Sequence, residues 1–141
     1  MTVLSAVSPN FAAMDLDKDP LGGHRELDVW QRAVELTLIA YSLAKKLPAA
    51  EKFALASQMR RSAASIPANI AEGNGRLHPG DYRRYISIAR GSLMELDTHL
   101  EIAVRAGYLT EKDRAVPLPL IDRIGKMLTR LAQAVAPPPT S

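Results

Sequence analysis

Residues 65–76, with the sequence SIPANIAEGNGR, constrain the fold of this chain more than any other stretch. The stretch continues a helical pattern, yet Pro67 removes a backbone donor and presses its ring against the preceding turn, at a cost of about 3 kcal/mol in a helix interior. Gly73 and Gly75 then supply the left-handed or otherwise permissive backbone at which helices end. Because this run is costly, we expect neighbouring segments to pack against it and compensate for the proline.

The composition favours a single helical domain. The chain has 141 residues, enough for one domain with a substantial core, and 47% of them are hydrophobic whereas only 5% are aromatic. It contains no cysteine, which excludes disulfide bonds, thiolate metal ligands and a cysteine nucleophile. No apolar run approaches the ~20 residues that span a bilayer, and the first residues lack the features of a signal peptide. We therefore expect a cytoplasmic protein that does not enter the membrane.

Apolar residues recur at intervals of three and four in four segments, which predicts four long amphipathic helices. The predicted helices cover residues 27–47, 50–71, 81–106 and about 119–135. Short connections join them, so we predict an all-α fold, an antiparallel up-down-up-down four-helix bundle. Residues 27–135 would form the bundle, residues 1–26 a flexible N-terminal arm, and residues 136–141 a disordered proline-rich tail.

The first predicted helix carries two apolar rows. One row consists of Leu27, Trp30, Val34, Leu38 and Tyr41. The other consists of Ala33, Leu36, Ala40, Leu43 and Leu47. Together the rows cover an arc that is too wide for one partner helix, which predicts a further buried interface and self-association. In the second predicted helix, Phe53 is the first residue of the core row.

The second and third predicted helices are joined by a short turn, so residues equidistant from that turn should lie level with each other. This counting places Arg60 opposite Glu95, and Glu72 opposite Arg83 or Arg84. Glu95 is adjacent to the apolar seam of its helix, where a desolvated carboxylate needs a cation or several donors. We therefore predict a structural polar network that fixes the helix register and satisfies the groups freed by Pro67. Its members are Arg60, Asn69, Glu72 and Glu95.

The basic residues are unevenly placed along the chain. The formal net charge is only +3, but residues 45–90 contain nine Lys or Arg against three Asp or Glu, a local net of +6. Such an excess attracts phosphate backbones or an acidic partner, although an ordinary solvated helix surface explains it equally well. The candidate nucleic-acid-binding residues are Lys45, Lys46, Lys52, Arg61, Arg76, Arg83, Arg84 and Arg90. No base-reading motif is present, so this binding would depend on the backbone and on salt.

A metal-dependent or carboxylate-based hydrolase built in the bundle core is the alternative from another functional class. Its candidate groups are Glu72, Glu95 and His99. Bundle di-metal sites use Glu-x-x-His on two helices, whereas Glu95 and His99 are four positions apart and have no second copy. Two glutamates in a bundle more often pair with cations than act together on a glycosidic bond. We therefore predict no catalytic residues, no metal and no cofactor.

Several segments resemble the bacterial four-helix-bundle family that is also called the 23S rRNA intervening sequence protein, or S23, family. They are residues 27–33 (LDVWQRA), 58–62 (QMRRS), 65–73 (SIPANIAEG), 91–96 (GSLMEL), 107–109 (GYL) and 124–128 (IGKML). The resemblance covers about residues 26–131. It departs from the family pattern at Pro117 and Pro119, where the fourth helix of the family is more continuous.

The resemblance implies an antiparallel four-helix bundle that forms a ring-like homopentamer and has no known enzymatic activity. A related branch serves as the accessory protein of diversity-generating retroelements, where it engages reverse transcriptase and nucleic acid. The resemblance and the basic residues together lead us to expect a non-catalytic oligomeric module that binds RNA, a ribonucleoprotein or a nucleic-acid-processing protein.

Overall fold

A computed structural model of the chain describes residues 23–135. This part is all-helical and free of β-strands, which confirms the predicted all-α class with four long helices. They are α1 (Asp28–Ala44), α2 (Leu55–Asn74), α3 (Pro79–Arg105) and, after the short α4 (Glu111–Ala115), α5 (Leu118–Ala134). Short 3-10 turns at His24–Glu26 and Ala49–Glu51 precede α1 and α2. The predicted arm up to residue 22 and the predicted tail at 136–141 lie outside the described residues.

The core side of α1 is the row that begins at Ala33. Ala33, Leu36 and Ala40 are almost completely buried, and the small alanine side chains allow α2 to approach closely. The other apolar row turns outward in its second half, where Leu38 is 60% exposed and Tyr41 is 40% exposed. Within this chain, α1 therefore buries one of its two predicted rows and leaves part of the other on the surface.

Pro67 lies inside α2 without ending the helix. Because proline has no N–H, the carbonyl oxygen of Ala63, four residues earlier, receives no intrahelical hydrogen bond from it. The single proton of the Thr37 hydroxyl on α1 is shared between this carbonyl oxygen, at 3.0 Å, and the Ala33 carbonyl oxygen of its own helix, at 2.8 Å. A neighbouring helix thus compensates for the proline, but the donor is a threonine outside the predicted polar network.

In the contacts between α2 and α3, a residue later in α2 meets a residue earlier in α3. Ser62 Oγ lies 3.2 Å from His99 Nδ1, and Ser65 Oγ lies 2.8 Å from Ser92 Oγ. These side chains are small or neutral, so the two helices can approach while their polar groups stay hydrogen-bonded.

Gly73 is required for the close approach of α3 to the end of α2. It is buried, and a Cβ built on it would lie 2.8 Å from Tyr85 Cβ and 3.2 Å from the Tyr82 carbonyl oxygen.

Gly75 caps α2 with a φ of −79°, so this helix does not end in the left-handed conformation. Gly107 follows α3 with a φ of 83° and does adopt it.

Two details of the predicted helices differ from the structure. Phe53 is not part of the core, because α2 begins two residues later, at Leu55, and Phe53 lies in the preceding turn with 88% of its surface exposed. α5 begins at Leu118, one residue before the predicted start, and Pro119 occupies the first turn, where a proline needs no intrahelical partner.

The buried faces of the long helices share one apolar core. Among its fully buried members are Met59, Leu93, Leu96 and Leu128. No helix in residues 23–135 combines the length and the apolar character needed to cross a membrane.

Replacing Gly73 with alanine should lower the free energy of unfolding by about 1–3 kcal/mol, because the added methyl group overlaps Tyr85. The matched control is Gly91→Ala, also inside a helix, where a Cβ meets no atom within 4 Å. This control should raise the free energy of unfolding by about 0.4–1 kcal/mol. Urea unfolding measures both changes, and equal stabilities of the two variants would contradict the close approach of α3.

Candidate nucleic-acid interface

The turn between α2 and α3 carries a cluster of arginine and tyrosine side chains. Arg76 Nη2 donates to Glu72 Oε1 at 2.5 Å and to Tyr85 Oη at 2.7 Å. The Arg76 guanidinium carbon lies 4.9 Å from the Tyr85 ring centroid, and that of Arg84 lies 5.6 Å from it. The hydrogen-bonded Glu72 carboxylate raises the pKa of Arg76. Two of the predicted nucleic-acid-binding residues, Arg76 and Arg84, therefore meet at one aromatic ring.

Three arginines, Arg83 and Arg90 on α3 and Arg130 on α5, line an open groove between these helices. We call them the groove arginines. Within residues 23–135, no carboxylate lies within 4 Å of their side-chain nitrogens. Arg130 was not predicted, because residues 91–141 have no net charge. A sequence signal for all three does exist, since none has an acidic residue three or four positions away.

The predicted lysines lie at the opposite end of α2 from this turn. Lys46 Nζ forms an ion pair with Asp113 Oδ1 at 2.6 Å, whereas Lys45 and Lys52 are exposed. Because α2 has 20 residues, about 30 Å of helix separates the two ends, and Arg61 is exposed between them. The eight predicted residues are therefore spread along the molecule and do not form one compact patch.

The predicted pairing of Arg60 with Glu95 is not observed. Arg60 Nη2 donates to the Lys52 carbonyl oxygen at 3.0 Å, while Glu95 is exposed and Glu72 is paired with Arg76. Two residues at the same height along neighbouring helices can still point in different directions around their axes. With 3.6 residues per turn, Glu95 lies on the solvent side of α3. The contacts within residues 23–135 therefore do not join the four predicted members into one network.

Asn69 instead takes part in a chain of neutral hydrogen bonds. Its Nδ2 donates to the Ser65 carbonyl oxygen at 2.7 Å and to Ser65 Oγ at 2.8 Å. Ser65 Oγ in turn is hydrogen-bonded to Ser92 Oγ of α3. Neutral side chains thus connect α2 to α3 without the desolvation cost that a buried ion pair carries.

His99 and Ser62 form a second polar contact between α2 and α3. Ser62 Oγ also donates to the Gln58 carbonyl oxygen of its own helix at 2.8 Å. Burial lowers the pKa of His99, and the charge of Glu95 acts against this shift. The pair thus forms a structural contact between the two helices, and Ser62 is also bonded within its own helix. Residues 23–135 contain no group of three His, Asp or Glu side chains arranged to hold a metal ion.

Asp113 should make the stability of the protein depend on pH. Hydrogen bonds from Lys46 and from the Thr110 backbone N–H hold the pKa of Asp113 at about 2, below its ordinary value of 3.8. A carboxylate with a lowered pKa in the folded state stabilises the fold above its ordinary pKa and loses this contribution as pH falls through the folded value. Asp113→Asn should therefore lower the urea midpoint at neutral pH, and its difference from wild type should shrink between pH 3.8 and about 2. A difference that stays constant over this range would contradict the assigned contacts.

Comparisons with known proteins agree with the resemblance. The profile of the family described as 23S rRNA-intervening sequence protein matches residues 25–130. The crystal structure of a protein with unknown function from the S23 ribosomal protein family of Bacteroides thetaiotaomicron VPI-5482 has a TM-score of 0.68 to this chain and 27% sequence identity. That match covers 74% of this chain and 97% of the other. No curated protein sequence matches this chain. The chain thus belongs to the 23S rRNA-intervening sequence protein family.

Proposed function

We propose that this protein is a non-catalytic RNA-binding module that self-associates and assists a ribonucleoprotein or a nucleic-acid-processing protein. The proposal rests chiefly on the groove arginines, which have no acidic partner within residues 23–135. Unpaired cations repel one another in the fold and are stabilised by an anionic ligand. Guanidinium groups bind phosphate through paired hydrogen bonds. The family description refers to intervening sequences of 23S rRNA, which favours RNA among the possible polyanions.

The proposal includes an antiparallel up-down-up-down arrangement of the four long helices. α1 contacts α2, α2 contacts α3, α3 contacts α5, and α5 contacts α1. This closed series of neighbours is typical of a four-helix bundle. The paired contacts of α2 and α3, in which one residue number rises as the other falls, support opposite directions for these two helices.

Self-association is supported by apolar side chains on the surface. Leu38 and Tyr41 on α1, and Ile88 and Ile102 on α3, are each at least 40% exposed. Apolar residues repeated at helical spacing on an outer face are typical of contacts between subunits. Since the resemblance implies a ring of five chains, we propose a homopentamer, located in the cytoplasm.

A non-catalytic role is supported by two of the three candidate hydrolase groups, Glu72 and His99, which are engaged in structural contacts, while Glu95 is exposed on the surface. Glu72 is bound by Arg76, and Ser62 donates to its own helix. His99 is hydrogen-bonded to Ser62 and lies between two helices. These side chains hold the fold together instead of presenting a nucleophile and a base to a substrate.

The proposal predicts RNA binding that weakens with salt and depends on the arginines of α3. The logarithm of the affinity for a labelled RNA should fall linearly with the logarithm of salt between about 50 and about 200 mM. The double variant Arg83→Ala, Arg84→Ala should bind more weakly than wild type. The charge-matched double variant Arg105→Ala, Arg123→Ala should not, because these two cations already have carboxylate partners.

Fluorescence anisotropy measures these affinities, and light scattering on the same wild-type sample measures its mass. Absence of RNA binding at the lowest salt concentration would contradict the RNA-binding function. A mass of five chains supports the ring. A monomeric mass would contradict self-association but would not affect the conclusion on RNA binding.

A further inference from the structure

The groove between α3 and α5 is long and continuous. Its larger part has a volume of about 800 Å³ and runs along α5 as far as Gln133. A smaller part of about 380 Å³ continues towards Arg83, near the start of α3. Arg90, Thr129 and Gln133 line both parts, which joins them. α3 contributes residues 83–97 to its wall, which is about 20 Å of helix.

This α3–α5 groove is positive because its acidic residues are neutralised and its arginines are not. Arg114 pairs with Asp97 at 3.2 Å, and Lys126 pairs with Asp122 at 3.1 Å. The groove arginines have no such partner within the described residues. A cleft lined by cations between walls of low dielectric constant concentrates positive potential and attracts an extended anion.

The groove arginines are placed to contact more than one phosphate. Arg83 and Arg90 lie seven residues apart on one face of α3, which is about 10 Å along the helix axis. Ser87 lies between them on the same helix, and Thr129 lines the groove from α5, with its hydroxyl donating to the Gly125 carbonyl oxygen at 3.1 Å. The guanidinium groups and the Ser87 hydroxyl between them can donate to phosphate and sugar oxygens.

The floor of the groove is apolar and open. Met94 and Leu118, which are 48% and 45% exposed, offer surfaces that can contact bases. A Cβ at Gly125 would lie 3.6 Å from Leu93, an ordinary contact, so the packing of the helices does not require a glycine there. A glycine inside a helix costs about 1 kcal/mol relative to alanine. Gly125 lines the larger part of the groove, so a longer side chain there would take up part of its volume.

We infer that the α3–α5 groove binds the backbone of single-stranded RNA, with Arg83, Arg90 and Arg130 as its phosphate contacts. This inference rests on the proposed RNA-binding function and assigns its site. Packed helices have axes about 8–10 Å apart, and a groove between them is too narrow for a nucleic-acid duplex. A single strand can enter and lay its bases on the apolar floor. None of the described residues that line the groove is aromatic, so contacts to phosphates, which carry no sequence information, dominate the binding.

The test measures the affinity of the full chain for labelled single-stranded polyuridine RNA across a salt series. The triple variant Arg83→Ala, Arg90→Ala, Arg130→Ala should reduce the salt slope by about 2, because each phosphate contact on a single strand contributes about 0.7. The charge-matched control is the triple variant Arg32→Ala, Arg105→Ala, Arg123→Ala, whose cations are all ion-paired. The control should keep the wild-type slope.

A second variant, Gly125→Gln, fills the groove without changing the net charge. Glutamine is a better helix former than glycine, so this protein should unfold at the same or a higher urea concentration than wild type. It should nevertheless lose affinity for single-stranded RNA. The matched control Gly91→Gln lies on α3 outside the residues that line the groove and should bind as wild type does. Undiminished affinity of Gly125→Gln would overturn the inference.

The remaining outcomes separate this inference from the proposed function. A wild-type protein that binds no RNA overturns the function itself. A wild-type protein that binds RNA, with equal salt slopes for the two triple variants, overturns only the groove. Equal affinity for duplex RNA also overturns the groove assignment. So does displacement of the RNA by poly-glutamate at equal charge concentration, which would indicate an acidic protein as the ligand.

Discussion

The arrangement of the first two helices depends on the hydrogen bond from Thr37 to the carbonyl oxygen of Ala63. Pro67 removes the intrahelical donor of this carbonyl, and an unsatisfied buried acceptor costs about 1–3 kcal/mol. α1 supplies the Thr37 hydroxyl at 3.0 Å, which it shares with its own Ala33 carbonyl oxygen at 2.8 Å, so a shift of α1 along α2 would remove this donor. The proline that weakens α2 locally therefore also determines where α1 is held.

α2 is in turn held against α3 by small and neutral groups, while α5 is packed less closely. The bond between Ser65 and Ser92 and the close approach at Gly73 draw α3 onto α2. α5 makes fewer contacts with its neighbours α1 and α3, and the α3–α5 groove remains open between them. The fold thus combines a tightly packed side, made of α1, α2 and α3, with an open and positively charged side between α3 and α5.

The sequence predicts the helices and the need for compensation near Pro67, because both follow from local periodicity and backbone chemistry. It does not identify Thr37 as the donor, since a helical threonine commonly bonds its own preceding turn and Ala63 is 26 positions away. Counting from a turn gives the height of Glu95 along the helix axis but not its rotation towards solvent. In the candidate site, local spacing can identify arginines without acidic neighbours, but it cannot show that Lys46 is neutralised by a residue 67 positions later.

A double-mutant cycle between Thr37→Val and Pro67→Ala tests this account most directly, with urea unfolding as the measurement. In the protein that retains Pro67, Thr37→Val should lower the free energy of unfolding by about 1–3 kcal/mol, because the Ala63 carbonyl loses its donor. In the Pro67→Ala background, the restored N–H can donate to that carbonyl, so the same substitution should cost less, by at least about 0.5 kcal/mol. An equal cost of Thr37→Val in both backgrounds would contradict the account.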